Sequence, residues 1–339
     1  MTQHSSPLAA GRLRAAALAC LAAAALCAAA DCGAVARADL YQATAPLSDH
    51  SEAAQTAAFQ TALKTVLVRL TGNRNADQDP ALAPLVNEAR LFVQQYRAAA
   101  DDELWVAFDG AAVERWLTQN GQPLWGHERP STFVWLAVMS TGTVLTRDDT
   151  SELKSDLDAA AAARGLVLLW PSPADLQSNR IDYSAVANGG PAVLAQLGRR
   201  LGGEGTLIGR ASGTGAAASV RWTHVFQDRS SEFSGTLEGV NHAADVYAEI
   251  FAASGAPMPV DIEVSGVNDV RGYANVENYL ESRAFISHVS VEALTGETVR
   301  FRLTTRGGAE SLQRALALNG PLEPLTSADN GVQRFRLRP

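Results

Sequence analysis

Cysteine is the first scarcity. The chain has three among 339 residues, Cys20, Cys27 and Cys32, and all lie within the first 38. If that stretch is removed, no thiol is left. Disulfides, thiol nucleophiles and cysteine metal sites are then excluded together. Lysine is almost as rare: Lys64 and Lys154 are the whole supply, and arginine carries the remaining positive charge. After residue 38 no apolar run approaches the roughly 20 residues that span a bilayer as a helix, so no transmembrane span is expected in the mature chain. The phosphate loop GxxxxGK[ST], the Gly-x-Ser-x-Gly nucleophile elbow and HExxH are all missing. No cofactor or metal is called for.

What is present begins at the amino terminus. Arg12 and Arg14 precede a 16-residue apolar run, Ala15 to Ala30, and a short polar stretch closes with Ala36-Arg37-Ala38. These are the three parts of a secretory signal peptide. Cleavage after Ala38 would start the mature chain at Asp39 and place it in the periplasm. The competing reading is an uncleaved leader acting as a membrane anchor. Lipidation fits poorly, because none of the cysteines has the expected residues before it. Removal of residues 1–38 leaves 301 residues with 25 basic and 35 acidic side chains, a net charge of −10. Nucleic acid is a poor partner for such a surface, since phosphate contacts need clustered cations.

The patterning predicts a multi-domain α+β and α/β chain of three segments. Residues 39–130 form a small mixed domain. It opens with a strand over 39–44 and a helix that Asp49 caps, with Glu52 completing a capping box. A second helix over 82–97 would bury Leu85, Ala89, Phe92 and Tyr96. Residues 131–257 read as a central βαβαβ sheet with an antiparallel extension, because Phe133 to Met139 is the unbroken apolar run of a strand covered on both faces. The extension's last strand would run through Phe233, Gly235 and Leu237, ahead of a helix near 243–253. Residues 258–339 follow the ferredoxin-like order βαββαβ, in which the first strand lies between the third and fourth.

Period-two alternation gives the last sheet an outward charged face. Asp261 and Glu263 would lie between a row of Arg300 and Arg302 and a row of Arg334, Arg336 and Arg338. Opposite charges on neighbouring strands stabilise a sheet modestly, so a solvated, salted face is one reading. A docking surface for an envelope protein or an anionic envelope polymer is the other. RNA is not expected, because sheets of this topology stack bases on outward aromatics, and arginines stand there instead.

Other constellations point to structure. Six glycines between 202 and 215 follow a helix instead of opening one, so they are turns, not a dinucleotide loop. Five histidines lie beyond residue 38, at 50, 127, 224, 242 and 288, all far apart in sequence. His224 alternates with Trp222 and Phe226 and reads as a core histidine. The acidic pairs near Asp77, Asp101 and Asp148 fall at loops or helix starts, where the dipole favours them. Six tryptophans could line a sugar groove, with core packing as the default.

Several stretches, taken in order, resemble a known family. They are Asp39 to Thr44, Val66 to Asn73, Phe92 to Tyr96, Leu124-Trp125 with Arg129-Pro130, and Val134 to Val138. The resemblance is to the domain of unknown function DUF 2066 of proteobacterial envelopes. It implies an exported protein and carries over no catalytic residue. The central segment is similar in topology to the amino-terminal α/β module of TolB. The expectation is a periplasmic, non-enzymatic accessory or binding protein. The alternative is a periplasmic hydrolase of wall or envelope polymers built from dispersed carboxylates and tryptophans.

Overall fold

The computed structural model describes residues 40–99, 102–126, 129–213, 219–227, 229–253, 255, 257–283, 285–316, 320–326 and 332–338. The expected leader with its three cysteines, the expected cleavage residues Ala36, Ala38 and Asp39, and His127 lie outside these. The chain is a mixed α/β protein with several sheets. Among the described residues no helix is long and apolar enough to cross a membrane.

The first sheet has the order β1-β3-β2, built from β1 (Gln42–Pro46), β2 (Val93–Ala98) and β3 (Glu103–Phe108). Helix α1 (Glu52–Thr71) packs on it and buries Phe59, Leu63, Val66, Leu67 and Leu70. Its N-cap is Ser51, whose hydroxyl accepts from the Ala54 amide at 3.1 Å. Asp49 instead accepts from the Ser51 amide at 2.7 Å, so the expected cap lies two residues too early. Gly72 ends the helix in the left-handed region (φ 73°), a conformation that costs glycine little.

The expected helix over 82–97 is corrected. Its span holds a short helix α2 (Ala83–Asn87), a 3₁₀ turn over Ala89–Phe92 and then β2. Phe92, Val93 and Tyr96 favour a pleated surface, and β3 offers a partner edge. There Tyr96 pairs with Val106, and its ring meets Phe59 edge-on at 5.2 Å. Pairing across the sheet overrides a helical spacing that four apolar residues happened to share.

Helix α3 (Gly110–Gln119) leads to the two-residue strand β4 (Leu124–Trp125). The central sheet runs β10-β9-β8-β5-β6, with β7 also on β5. Its strands are β5 (Ser131–Val138), β6 (Thr143–Val144), β7 (Val167–Leu169), β8 (Gly205–Ser212), β9 (Ser219–Phe226) and β10 (Arg229–Ser234). Strand β5 is parallel to both β7 and β8, and β9 and β10 add antiparallel strands. Helices α4 (Glu152–Arg164), α5 (Pro173–Asn179), α6 (Tyr183–Asn188), α7 (Pro191–Arg200) and α8 (Glu238–Phe251) cover the two faces with separate apolar clusters. Strand β10 stops at Ser234 because Gly235 takes φ 137°, so Leu237 begins a helix instead of ending a strand.

A two-stranded pairing of β4 with β11 (Ala252–Ala253) follows α8. The last sheet has the order β13-β14-β12-β16-β15. Its strands are β12 (Met258–Ser265), β13 (Ile286–Thr295), β14 (Thr298–Thr305), β15 (Leu322–Leu325) and β16 (Gln333–Leu337), with helices α9 (Val270–Glu281) and α10 (Gly308–Leu316). Strand β12 thus lies between β14 and β16, and β15 is an added edge.

Candidate functional site

The pleat sets the charges of the last sheet. Val260, Ile262 and Val264 are buried under the helices, which turns Asp261 and Glu263 outward. The register places Asp261 beside Arg302, and Glu263 between Arg300 and Arg334. Arg302 grips Asp261 through Nε at 2.9 Å and Nη2 at 3.2 Å, and reaches Glu292 at 3.1 Å. Glu263 receives Arg300 on one oxygen and Arg334, at 3.1 Å, on the other. The Arg302 hydrogen bonds hold the Asp261 carboxyl below its ordinary range, and Arg300 and then Arg334 do the same for Glu263. Three of the five outward arginines are therefore neutralised in place. Arg336 and Arg338, at the end of β16, make no ion pair with the described residues.

A second charged cluster is buried, and sequence reasoning missed it. It gathers where the carboxyl end of α1 meets the central segment. Arg129 is 8 % exposed and Arg164 is 4 % exposed. Arg129 Nη2 donates to the carbonyls of Arg69 (2.9 Å) and Trp125 (3.0 Å), and its guanidinium lies 3.7 Å above the Trp125 ring. Arg164 Nη2 donates to the Gly72 carbonyl at 2.9 Å and to Asp245 at 2.7 Å, while Nη1 reaches Asn241 at 3.2 Å. Both arginines thus meet the negative end of the α1 dipole. Asp245 also pairs with Arg74. No acid is hydrogen-bonded to Arg129 among the described residues. Burial, aided by Arg69 and Arg164, lowers its pKa to about 9. It still carries its charge at neutral pH.

Five adjacent polar groups line the interface of α8 with the central sheet. Buried Tyr247 shares a hydrogen bond with Thr132 at 2.9 Å and faces His224 Nε2 at 3.3 Å. His224 is 2 % exposed, and its pKa is pushed down to about 3 by burial and then by His242. The His242 ring lies 5.6 Å from it, and His242 Nε2 bonds the Ser231 hydroxyl at 2.8 Å. Two histidines distant in sequence thus become neighbours. Strand alternation put His224 in the core, but nothing in it located His242.

Several members of the remaining constellations have structural roles. Trp125, Trp135 and Trp222 are fully buried. Asp79 caps a 3₁₀ turn through the Ala81 amide, and Asp149 accepts from the Ser151 amide. Gly205 lies against Tyr247: a Cβ there would stand 1.9 Å from the phenol oxygen. That glycine serves close packing. Among the described residues no group of three or more His, Cys, Asp or Glu is placed to hold a metal ion.

One family model matches part of the chain. Residues 34–126 match the family model of a domain of unknown function, DUF8605. The resemblance to DUF 2066 is therefore corrected: the matching family is a different one. Two of the stretches behind that resemblance, Arg129-Pro130 and Val134 to Val138, lie beyond the matched residues. No curated protein matches the chain. No solved structure matches it either, so the likeness to the TolB module has no support. The DUF8605 match contains Arg69, Gly72, Arg74 and Trp125 of the buried arginine junction, but not Arg129 or Arg164.

Proposed function

We propose that this chain is an exported, non-enzymatic accessory or binding protein of the bacterial envelope. Residues 1–38 act as the signal peptide and are cut after Ala38. Three modules, 39–130, 131–257 and a ferredoxin-like 258–339, then fold in the periplasm. The third meets an acidic partner, an envelope protein or an anionic envelope polymer. One observation carries this reading: on a face where Arg300, Arg302 and Arg334 are held in ion pairs, Arg336 and Arg338 make no ion pair with the described residues, although Glu323 stands opposite Arg336 in the strand register. Cations freed from internal ion pairs are the ones that steer an acidic partner. Charge reversal at both positions is expected to abolish in-cell photo-crosslinks from this face and leave the melting temperature nearly unchanged. Unchanged crosslinks would discard the surface.

A second reading, hydrolysis, is favoured by the Ser231–His242 hydrogen bond alone, since a serine beside a neutral histidine is the start of a nucleophile–base pair. No acid is hydrogen-bonded to His242 among the described residues, and the two acids near it, Asp245 and Glu238, are paired with arginines. A fluorophosphonate probe is expected to leave the protein unlabelled. Labelling that disappears in Ser231→Ala would replace the first reading with this one.

A further inference from the structure

The buried arginine junction has donors in excess. Arg129 Nε and Nη1, Trp125 Nε1 and Arg164 Nε are all shielded from solvent and meet no acceptor among the described residues. Every one of these groups is an N–H donor. Buried polar groups in folded proteins are nearly always paired, and an unpaired charged donor is the costliest exception. Arg164 has Asp245 to balance its charge. Among the described residues Arg129 has two carbonyl oxygens and the face of Trp125, which soften a positive charge without cancelling it.

We propose that Arg129 holds a small inorganic anion of the halide class, sealed between the carboxyl end of α1 and the central segment. The chemistry sets the class. The open groups donate only, so the ligand must accept only. The donor atoms are themselves shielded from solvent, which favours a small anion over a phosphate ester or a carboxylate carrying a chain. A neutral water could accept some of these bonds but would leave the guanidinium charge uncompensated. The anion would act as a structural clasp, since its arginine links the carbonyl of Arg69 in α1 to that of Trp125 ahead of β5. This inference is independent of the partner surface on the last sheet.

The test uses the purified whole protein at constant ionic strength, with chloride exchanged for gluconate. A ligand that binds only the folded state raises the melting temperature as it saturates, by about 5 °C at a roughly hundredfold excess over its Kd. The wild type is expected to melt higher in chloride, and Arg129→Gln is expected to lose that dependence. Because Arg129→Gln could fail to fold, bromide-soaked wild-type crystals give the second reading. An anomalous peak at hydrogen-bonding distance from Arg129 is expected. Melting that ignores the anion, a chloride effect that survives in Arg129→Gln, or soaked crystals with no such peak (an ordered water only) would each overturn the proposal.

Discussion

Arg164 and Asp245 meet at 2.7 Å where α4 packs beside α8, and the same guanidinium holds the last carbonyl of α1 through Gly72. The pair is lopsided, with the arginine side chain 5 % exposed and the aspartate 41 %. Removing the acid strands a buried cation, which commonly costs 3–5 kcal/mol when both partners are buried. With one partner half in water, Asp245→Asn is expected to cost about 2–3 kcal/mol, read from urea unfolding. A loss no larger than that of an ordinary surface change would show that Arg164 is satisfied by its carbonyl and Asn241.

Gly72 gives a test with an internal control. Its φ of 73° disfavours any side chain, and a Cβ would stand 2.3 Å from that of Ala248. Gly142 has φ 66° with open space around it. Gly142→Ala is expected to cost about 1 kcal/mol from backbone strain alone. Gly72→Ala adds a clash between α1 and α8 and is expected to cost about 2–4 kcal/mol. Equal melting temperatures for the two variants would contradict close packing at this junction.

His224 predicts a pH dependence with a definite sign. The unfolded chain takes a proton near pH 6.5 that the folded chain refuses until about pH 3. The neutral core is therefore fully favoured above pH 6.5, and stability falls as pH drops toward 3, by up to about 1.4 kcal/mol per pH unit. Asp261 and Glu263, held low by arginines, lose their contribution only at more acidic pH. Between pH 6.5 and 4.5, unfolding free energies of His224→Leu should therefore follow a shallower slope than the wild type. Parallel slopes would mean His224 is solvated.

On the last sheet, Glu263 serves two arginines from a partly exposed position. Surface pairs contribute little. Glu263→Gln is expected to cost about 1 kcal/mol in dilute buffer and less in high salt. A loss that ignores salt would indicate packing in place of charge.

The legible parts of the fold were those written in period. Val134 to Val138 reads as a covered strand and is one, β5. Alternation of Val260, Ile262 and Val264 with Asp261 and Glu263 separates core from charged face, so facing rows of acid and arginine follow from the pleat. Where short apolar spacing fitted two periods, as over 82–97, the edge of β3 decided. The buried arginines escaped notice because arginine is normally a surface residue, and their burial depends on helix ends that meet only in three dimensions. Which core Leu124 and Trp125 fill was not readable: Leu124 joins the first apolar cluster and Trp125 the second. The His224–His242 contact depends on how α8 lies across β9, which no local pattern encodes.

Export underlies the functional reading, and the amino terminus of the native protein tests it most directly. N-terminal sequencing of protein released by osmotic shock is expected to begin at Asp39. A chain that begins at Met1 and is recovered from the cytosolic fraction would contradict it.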